Sequence, residues 1–198
     1  MRVRSLLLRM LVVITGPSGV GKTTIIELLL EMEPDLQYCK SVTTRERRSD
    51  EDEIYYRFMG EQEFLEGIRK GEFAEWSEVY GKYYGRLKRD LDGLMRSGHV
   101  LVGIDPQGAA KLQEQYPKGV FIFLLPRSEE ALEAQLRGRK TDDEGSIRVR
   151  LDAALQEMHH ADDFGYKVVN DRIEGTVREV QSILAVEGQR RESDQRRA

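Results

Sequence analysis

Four short stretches of the chain are largely apolar without alternation: LVVIT at 11–15, HVLVGI at 99–104, VFIFLL at 120–125 and YKVVN at 166–170. Such runs are what a sheet buried on both faces requires. Between them, apolar residues recur at helical spacing. A helix is expected over about 22–32; Leu87, Leu91, Leu94 and Met95 mark another that stops at Gly98. Ile147, Leu151, Ala154, Leu155 and Met158 form a further stripe, as do Ile173, Val177, Val180 and Leu184. Ser128 followed by Glu129 and Glu130 reads as an N-cap with acids on the positive helix end, opening a helix through Leu132 and Leu136. Strands alternating with helices predict an α/β domain: a central parallel sheet with helices on both faces, three layers in all.

The texture changes between the first helix and the strand at 99. YYRFM and FAEWSEVY alternate like strands, and a short helix is expected around Phe64, Leu65 and Ile68. This predicts an inserted subdomain over about 36–97, within a core formed by 10–35 and 98–188. RGRKTDDEG at 137–145 joins two helices and is rich in arginine and acids, which suits a mobile lid over about 137–147. The tail from about 189 to 198 has no apolar pattern and is expected to be disordered.

Composition narrows the class. The 198 residues, 39% hydrophobic and 33% charged, are enough for a single domain with a real core. A net charge of -4 predicts no extended nucleic-acid or anionic-membrane surface, so any anion site must be local. A lone cysteine, Cys39, excludes an internal disulfide and fits a reducing, cytoplasmic setting. The opening MRVRSLLLRM has the look of a signal peptide, but Arg9 interrupts it and no small-residue cleavage site follows, so no targeting segment is expected.

The first apolar run leads into GPSGVGKT, residues 16–23, which satisfies G-x-x-x-x-G-K-[ST] between a strand and a helix. A loop of Gly16, Pro17, Ser18, Gly19, Val20, Gly21, Lys22, Thr23 and Thr24 is therefore the candidate ATP-binding site. Its N–H groups can converge on phosphate oxygens, Lys22 can reach the β- and γ-phosphates, and Thr23 can ligate Mg²⁺. The motif alone does not separate motors, GTPases and kinases.

The acceptor side is more specific. SVTTRERRSDEDEIYYRF puts Arg45 and Arg48 on one loop shortly before two tyrosines. Two guanidinium forks can hold a phosphate dianion, with a tyrosine hydroxyl as a further donor; solvated charge balanced by the acidic run Asp50–Glu53 is the alternative. Here the chain resembles the guanylate kinases from Leu11 to about Leu184. The resemblance is carried by GPSGVGKT, by S-x-T-T-R-x-x-R-x-x-E at 41–51, by Tyr56 and Phe58, and by EFAEW at 72–76. It continues through YYG at 83–85, IDPQGA at 104–109, RGR at 137–139 and VVND at 168–171.

The resemblance implies transfer of the ATP γ-phosphate to GMP with Mg²⁺, and neither a nucleic-acid, a membrane nor an obligate protein partner. It implies that Arg45, Arg48, Tyr56 and Tyr84 hold the GMP phosphate and that Ser41, Glu75 and Asp105 read guanine. A carboxylate at Glu75 can accept from guanine N1–H and the 2-amino group, which adenine lacks. Arg139 and Arg150 resemble lid arginines that bridge donor and acceptor phosphates, so Lys22, Arg45, Arg139 and Arg150 are the candidate catalytic set.

The chain departs from the family in places. Arg86 follows Tyr-Tyr-Gly where threonine or serine is usual. Arg86 either donates to guanine O6 and N7, or pairs with Glu75 or faces solvent. Arg47 and Asp50 replace a turn proline and glycine, Gly103 stands where an aspartate is usual, and Gln135 replaces a lid-proximal arginine, with Arg137 a doubtful substitute. Two alternatives follow: a kinase of this fold with another phosphorylated acceptor, and a noncatalytic binding module.

Overall fold

The computed structural model describes residues 9–47, 52–79, 81–138 and 144–197. In chain order the elements are β1 (Leu11–Thr15), α1 (Lys22–Met32), β2 (Leu36–Tyr38), β3 (Ser41–Thr43), α2 (Asp52–Tyr55), β4 (Tyr56–Phe58), α3 (Glu61–Arg69), β5 (Phe73–Val79) and β6 (Lys82–Leu87). Then follow α4 (Lys88–Met95), β7 (His99–Gly103), α5 (Pro106–Gln115), β8 (Val120–Pro126), α6 (Glu129–Arg137), α7 (Glu144–Met158), a 3-10 turn (His159–Asp163), β9 (Tyr166–Asn170) and α8 (Ile173–Arg197).

The unalternating runs become β1, β7, β8 and β9 of an all-parallel sheet ordered β2-β7-β1-β8-β9. Successive side chains of β1, β7 and β8 enter different cores. Val12 and Ile14 pack with Ile25 and Leu29 of α1 and Val177 and Val180 of α8. Leu11 and Val13 pack on the other face with Leu91 of α4 and Leu112 of α5. In β1, β7 and β8 both faces are covered, which is why no polar residue alternates there, whereas β9 at the sheet edge leaves Lys167 and Val169 exposed.

A second sheet, ordered β4-β3-β6-β5, forms the inserted unit around Val42, Phe64, Phe73 and Leu87. Trp76 and Tyr83 pack against that small core. Gly85 allows β5 and β6 to close up: a Cβ there would lie 2.8 Å from the Glu75 carbonyl oxygen.

Three sequence expectations need adjustment. Leu87 ends β6 and faces the second core, so the helix that it was grouped with begins at Lys88. The segment expected to open the insertion contains β2, which pairs with β7 at the edge of the parallel sheet. Three residues are too few to show a period. The tail expected to be disordered continues α8 to Arg197. Arg190 pairs with Glu187 at 2.8 Å one turn away, and Arg191 reaches back to the carbonyls of Arg9 and Lys118, so polar contacts support a helix that apolar spacing does not mark. Residues 139–143 of the expected lid lie outside the described residues, and its flanks are helical, α6 ending at Arg137 and α7 starting at Glu144. No described helix is long and apolar enough to cross a membrane.

Candidate active site

The turn from β1 into α1 is shaped by glycines that no other residue replaces without strain. Gly16 has φ 138°, and a Cβ on it would lie 2.4 Å from the Leu124 carbonyl oxygen of β8. Gly21, at φ 95°, precedes α1 in the left-handed region. The loop is braced from β9, where the Asn170 side-chain amide donates to the Val20 carbonyl at 2.8 Å and accepts from the Thr176 hydroxyl at 2.9 Å. Lys22 curls back over the loop, its Nζ donating to the carbonyls of Gly16 at 2.5 Å and Pro17 at 3.0 Å.

This loop forms one wall of a cleft of about 830 Å³. Ser18, Gly19, Gly21, Lys22, Thr23 and Thr24 line it; Gly16, Pro17 and Val20 are buried behind. The second sheet supplies the opposite wall, with Ser41, Arg45, Tyr56, Glu75, Tyr84 and Arg86 joined by Asp105 from the start of α5. Arg150 lines a third side from α7. Residues from distant parts of the sequence thus converge on one space. Arg48 and Arg139 lie outside the described residues.

On the acceptor wall, β3 and β4 run parallel, with Ser41 opposite Tyr56. Arg45 lies over the Tyr56 ring at 4.7 Å and donates to the Glu46 carbonyl at 2.8 Å. Tyr84 meets Tyr56 edge to face, with ring centres 6.3 Å apart. A guanidinium held by aromatic faces beside tyrosine hydroxyls makes a rigid, positive donor set.

The base-reading candidates are engaged by protein. Asp105 caps α5, accepting from the Gly108 N–H at 2.9 Å, and its other oxygen accepts from the Ser77 hydroxyl at 2.6 Å. These bonds account for its position without any ligand. Glu75 and Arg86 lie opposite each other in the β5–β6 ladder. Arg86 Nη1 donates to Glu75 Oε1 at 2.7 Å, and Nη2 donates to the Gly103 carbonyl. Of the two readings of Arg86, the structure has the pairing with Glu75, not an arginine extended toward a base edge. Burial pushes the Glu75 carboxyl up to about 7; Arg86 pulls it down, and Asp105 adds to the rise.

At Gly103 a larger residue would require the Ile26 side chain to shift. A Cβ there would sit 2.4 Å from Ile26 of α1. Arg137 pairs with Glu133 one turn back at 2.9 Å on an exposed face, so it does not stand in for an arginine at Gln135.

One site residue escaped sequence reasoning. Glu157 of α7 accepts from the Ser18 N–H at 2.9 Å, while Arg150 on the same helix donates to the Ser18 hydroxyl at 3.4 Å. Seven residues make two helical turns, so the spacing placed both on one face; the missing signal was the phosphate loop beneath them. Burial raises the Glu157 carboxyl, opposed by the Ser18 N–H and by Lys22.

The described residues contain no group of three or more histidine, cysteine, aspartate or glutamate side chains suited to a metal. Mg²⁺ carried by nucleotide phosphates needs few protein ligands. The hydroxyl residue Thr23, exposed at the start of α1 on the cleft wall, suits that role.

Residues 8–187 match the family model for guanylate kinase. A guanylate kinase of Carboxydothermus hydrogenoformans is 42% identical over 180 residues, 90% of this chain and 88% of that protein. One from Geobacter metallireducens is 40% identical over 180 residues, 89% of this chain and 88% of its own length. The crystal structure of guanylate kinase from Anaplasma phagocytophilum aligns with a TM-score of 0.72 at 32% identity, covering 92% of this chain and 87% of that one. A gluconokinase from Sinorhizobium meliloti, at a TM-score of 0.52 and 18% identity over 95% of this chain and 98% of that one, shares the fold alone.

Proposed function

This chain belongs to the guanylate kinase family, and we propose on that premise that it transfers the γ-phosphate of ATP to GMP, giving ADP and GDP. The observation that carries the reading is the shared cleft, where a phosphate loop faces a guanidinium, two tyrosines and a buried carboxylate. Its volume, about 830 Å³, lies within the range of nucleotide-sized sites.

In this mechanism the loop N–H groups and Lys22 hold the β- and γ-phosphates of ATP. Thr23 would hold Mg²⁺, which supplies charge neutralisation across those phosphates. Arg45, Tyr56 and Tyr84 hold the GMP phosphate, with Arg48 from the same loop, while Ser41, Glu75 and Asp105 face the base. A phosphate oxygen of GMP attacks Pγ, the bond from Pγ to the β,γ-bridging oxygen breaks, and ADP leaves with that electron pair. The nucleophile is already anionic, so orientation and charge neutralisation carry the step without a general base. Arg150, with Arg139, steadies the transferring group and helps exclude water that would otherwise hydrolyse ATP.

The engagement of Glu75 by Arg86 favours one further reading, a kinase of this fold with a different phosphorylated acceptor. ADP release with Mg²⁺-ATP against GMP, dGMP, AMP, UMP and no acceptor decides between them. Turnover with the guanine nucleotides and background rates with AMP and UMP are expected. ATP binding with no guanine-dependent ADP release would reject the proposal.

A further inference from the structure

The Glu75 and Arg86 side chains are each 1% exposed, yet both border the cleft. The guanidinium is hooked at two ends: Nη1 on Glu75 Oε1, and Nη2 on the carbonyl of Gly103 at the end of β7. Its Nε–H has no acceptor among the described residues. As a stabilising device this is poor. Dehydration of two charges offsets much of their attraction, and an orphan donor adds a further penalty. The arrangement instead fixes geometry. It ties the carboxylate of the second sheet to the frame of the parallel sheet and engages one of its two oxygens. The other, Oε2, lies near Gly108, where a Cβ would come within 3.0 Å of it.

We propose that Arg86 is a positioning residue for base selection, which holds Glu75 ionised and in one orientation for guanine instead of contacting the base itself. The inference rests on the reading of Glu75 as the guanine acceptor given above. Nη1 and Nη2 of Arg86 each already donate to a protein acceptor, so protein groups and not a base set the orientation of the guanidinium. The Nη1–H bond to Glu75 Oε1 comes from a guanidinium that is itself anchored on the Gly103 carbonyl, so it restricts rotation of the acid in a way that solvent would not.

The groups facing this pair are few. Arg86 from β6, Asp105 at the start of α5 and Lys111 of α5 act on Glu75; Tyr38 of β2 and Cys39 act on the guanidinium. Burial pushes Tyr38 up to about 12, so it stays neutral across the working range. Burial likewise lifts Glu75 to about 7, with Arg86 the strongest pull downward and Lys111 a lesser one. Removing the guanidinium leaves burial and Asp105 opposed by Lys111 alone. Glu75 would then keep its proton to higher pH and lose its capacity to accept from N1–H and the 2-amino group.

The test is GMP affinity, read by the fluorescence of Trp76 next to Glu75, from pH 5.5 to 9 in the wild-type chain, R86M, R86K and E75Q. Wild-type Kd should rise as pH falls through about 7. E75Q should lack that inflection and keep only the one due to the GMP phosphate, near about 6. In R86M the inflection should move upward by about one pH unit or more. R86K, which keeps a buried cation, should stay close to wild type. A wild-type inflection in R86M overturns the proposal; if the GMP-over-AMP ratio also falls equally at every pH, Arg86 reads the base directly. Should R86M fail to fold, R86K decides: an unmoved inflection with a pH-independent loss of GMP preference overturns it in the same way. A wild-type chain that binds no GMP at any pH removes the functional reading itself, which is a separate failure.

Discussion

Glu157 holds an N–H of the phosphate loop that an incoming triphosphate would also seek. A carboxylate at 2.9 Å from Ser18 N stands where negative charge is useful to an empty loop and unfavourable beside a filled one. Glu157→Gln keeps an acceptor for that N–H and removes the charge. Equilibrium binding should therefore show tighter ATP, by about fivefold if the charge is worth ~1 kcal/mol at this partly buried position. Weaker binding would mean instead that the carboxylate is needed with nucleotide bound. Wild-type ATP affinity should also improve as pH falls, because burial raises the Glu157 carboxyl above the ordinary range and protonation removes the same charge.

Among the elements, α6 and α7 flank the segment expected to form a lid. Leu132 and Leu136 of α6 pack against Ala154 of α7 in a small core of their own. The start of α6 is fixed by Ser128, whose hydroxyl accepts from the Ala131 N–H at 3.2 Å. Ser128→Ala removes that cap and should cost about 1 kcal/mol, a fall in Tm of roughly 2–4 °C for a chain of this size. Ser128 is not among the residues that line the cleft, so GMP affinity should hold while thermal unfolding shifts. A wild-type Tm in the variant would mean that α6 is held by the Leu132–Leu136 contact alone.

At the scale of the whole molecule, two sheets with separate cores meet at a cleft that both line. Two ligands bridged into one molecule should therefore bind both walls together. A bisubstrate analogue, adenosine and guanosine joined through a phosphate chain, is expected to stabilise the protein by ~2.7 kcal/mol at one hundred times its Kd, raising Tm by roughly 5–11 °C. ATP or GMP alone at the same multiple of its own Kd gives a similar shift, so the diagnostic quantity is Kd. That of the analogue should lie well below either single value, because the second contact becomes intramolecular. Equal affinities for analogue and ATP would show that the two walls do not engage one ligand.

Much of this was legible along the chain. Unalternating strands and helical stripes fixed the layered parallel fold, because burial on two faces leaves no other pattern. The glycines of 16–21 fixed the phosphate loop, since only glycine adopts those angles beside Leu124. What sequence left open were matters of approach between distant residues. The three-residue strands β2, β3 and β4 carry too few positions for a period, and α8 extends past its apolar stripe on ion pairs and contacts with carbonyls of Arg9 and Lys118. Arg86 is the clearest case. Its residue type allowed base contact, solvation or pairing, and its choice depends on a carboxylate eleven residues away and a carbonyl seventeen residues away. Only the packing of β6 between its neighbours and β7 brings those acceptors to one guanidinium, and in a buried setting the nearest anion decides where a cation rests.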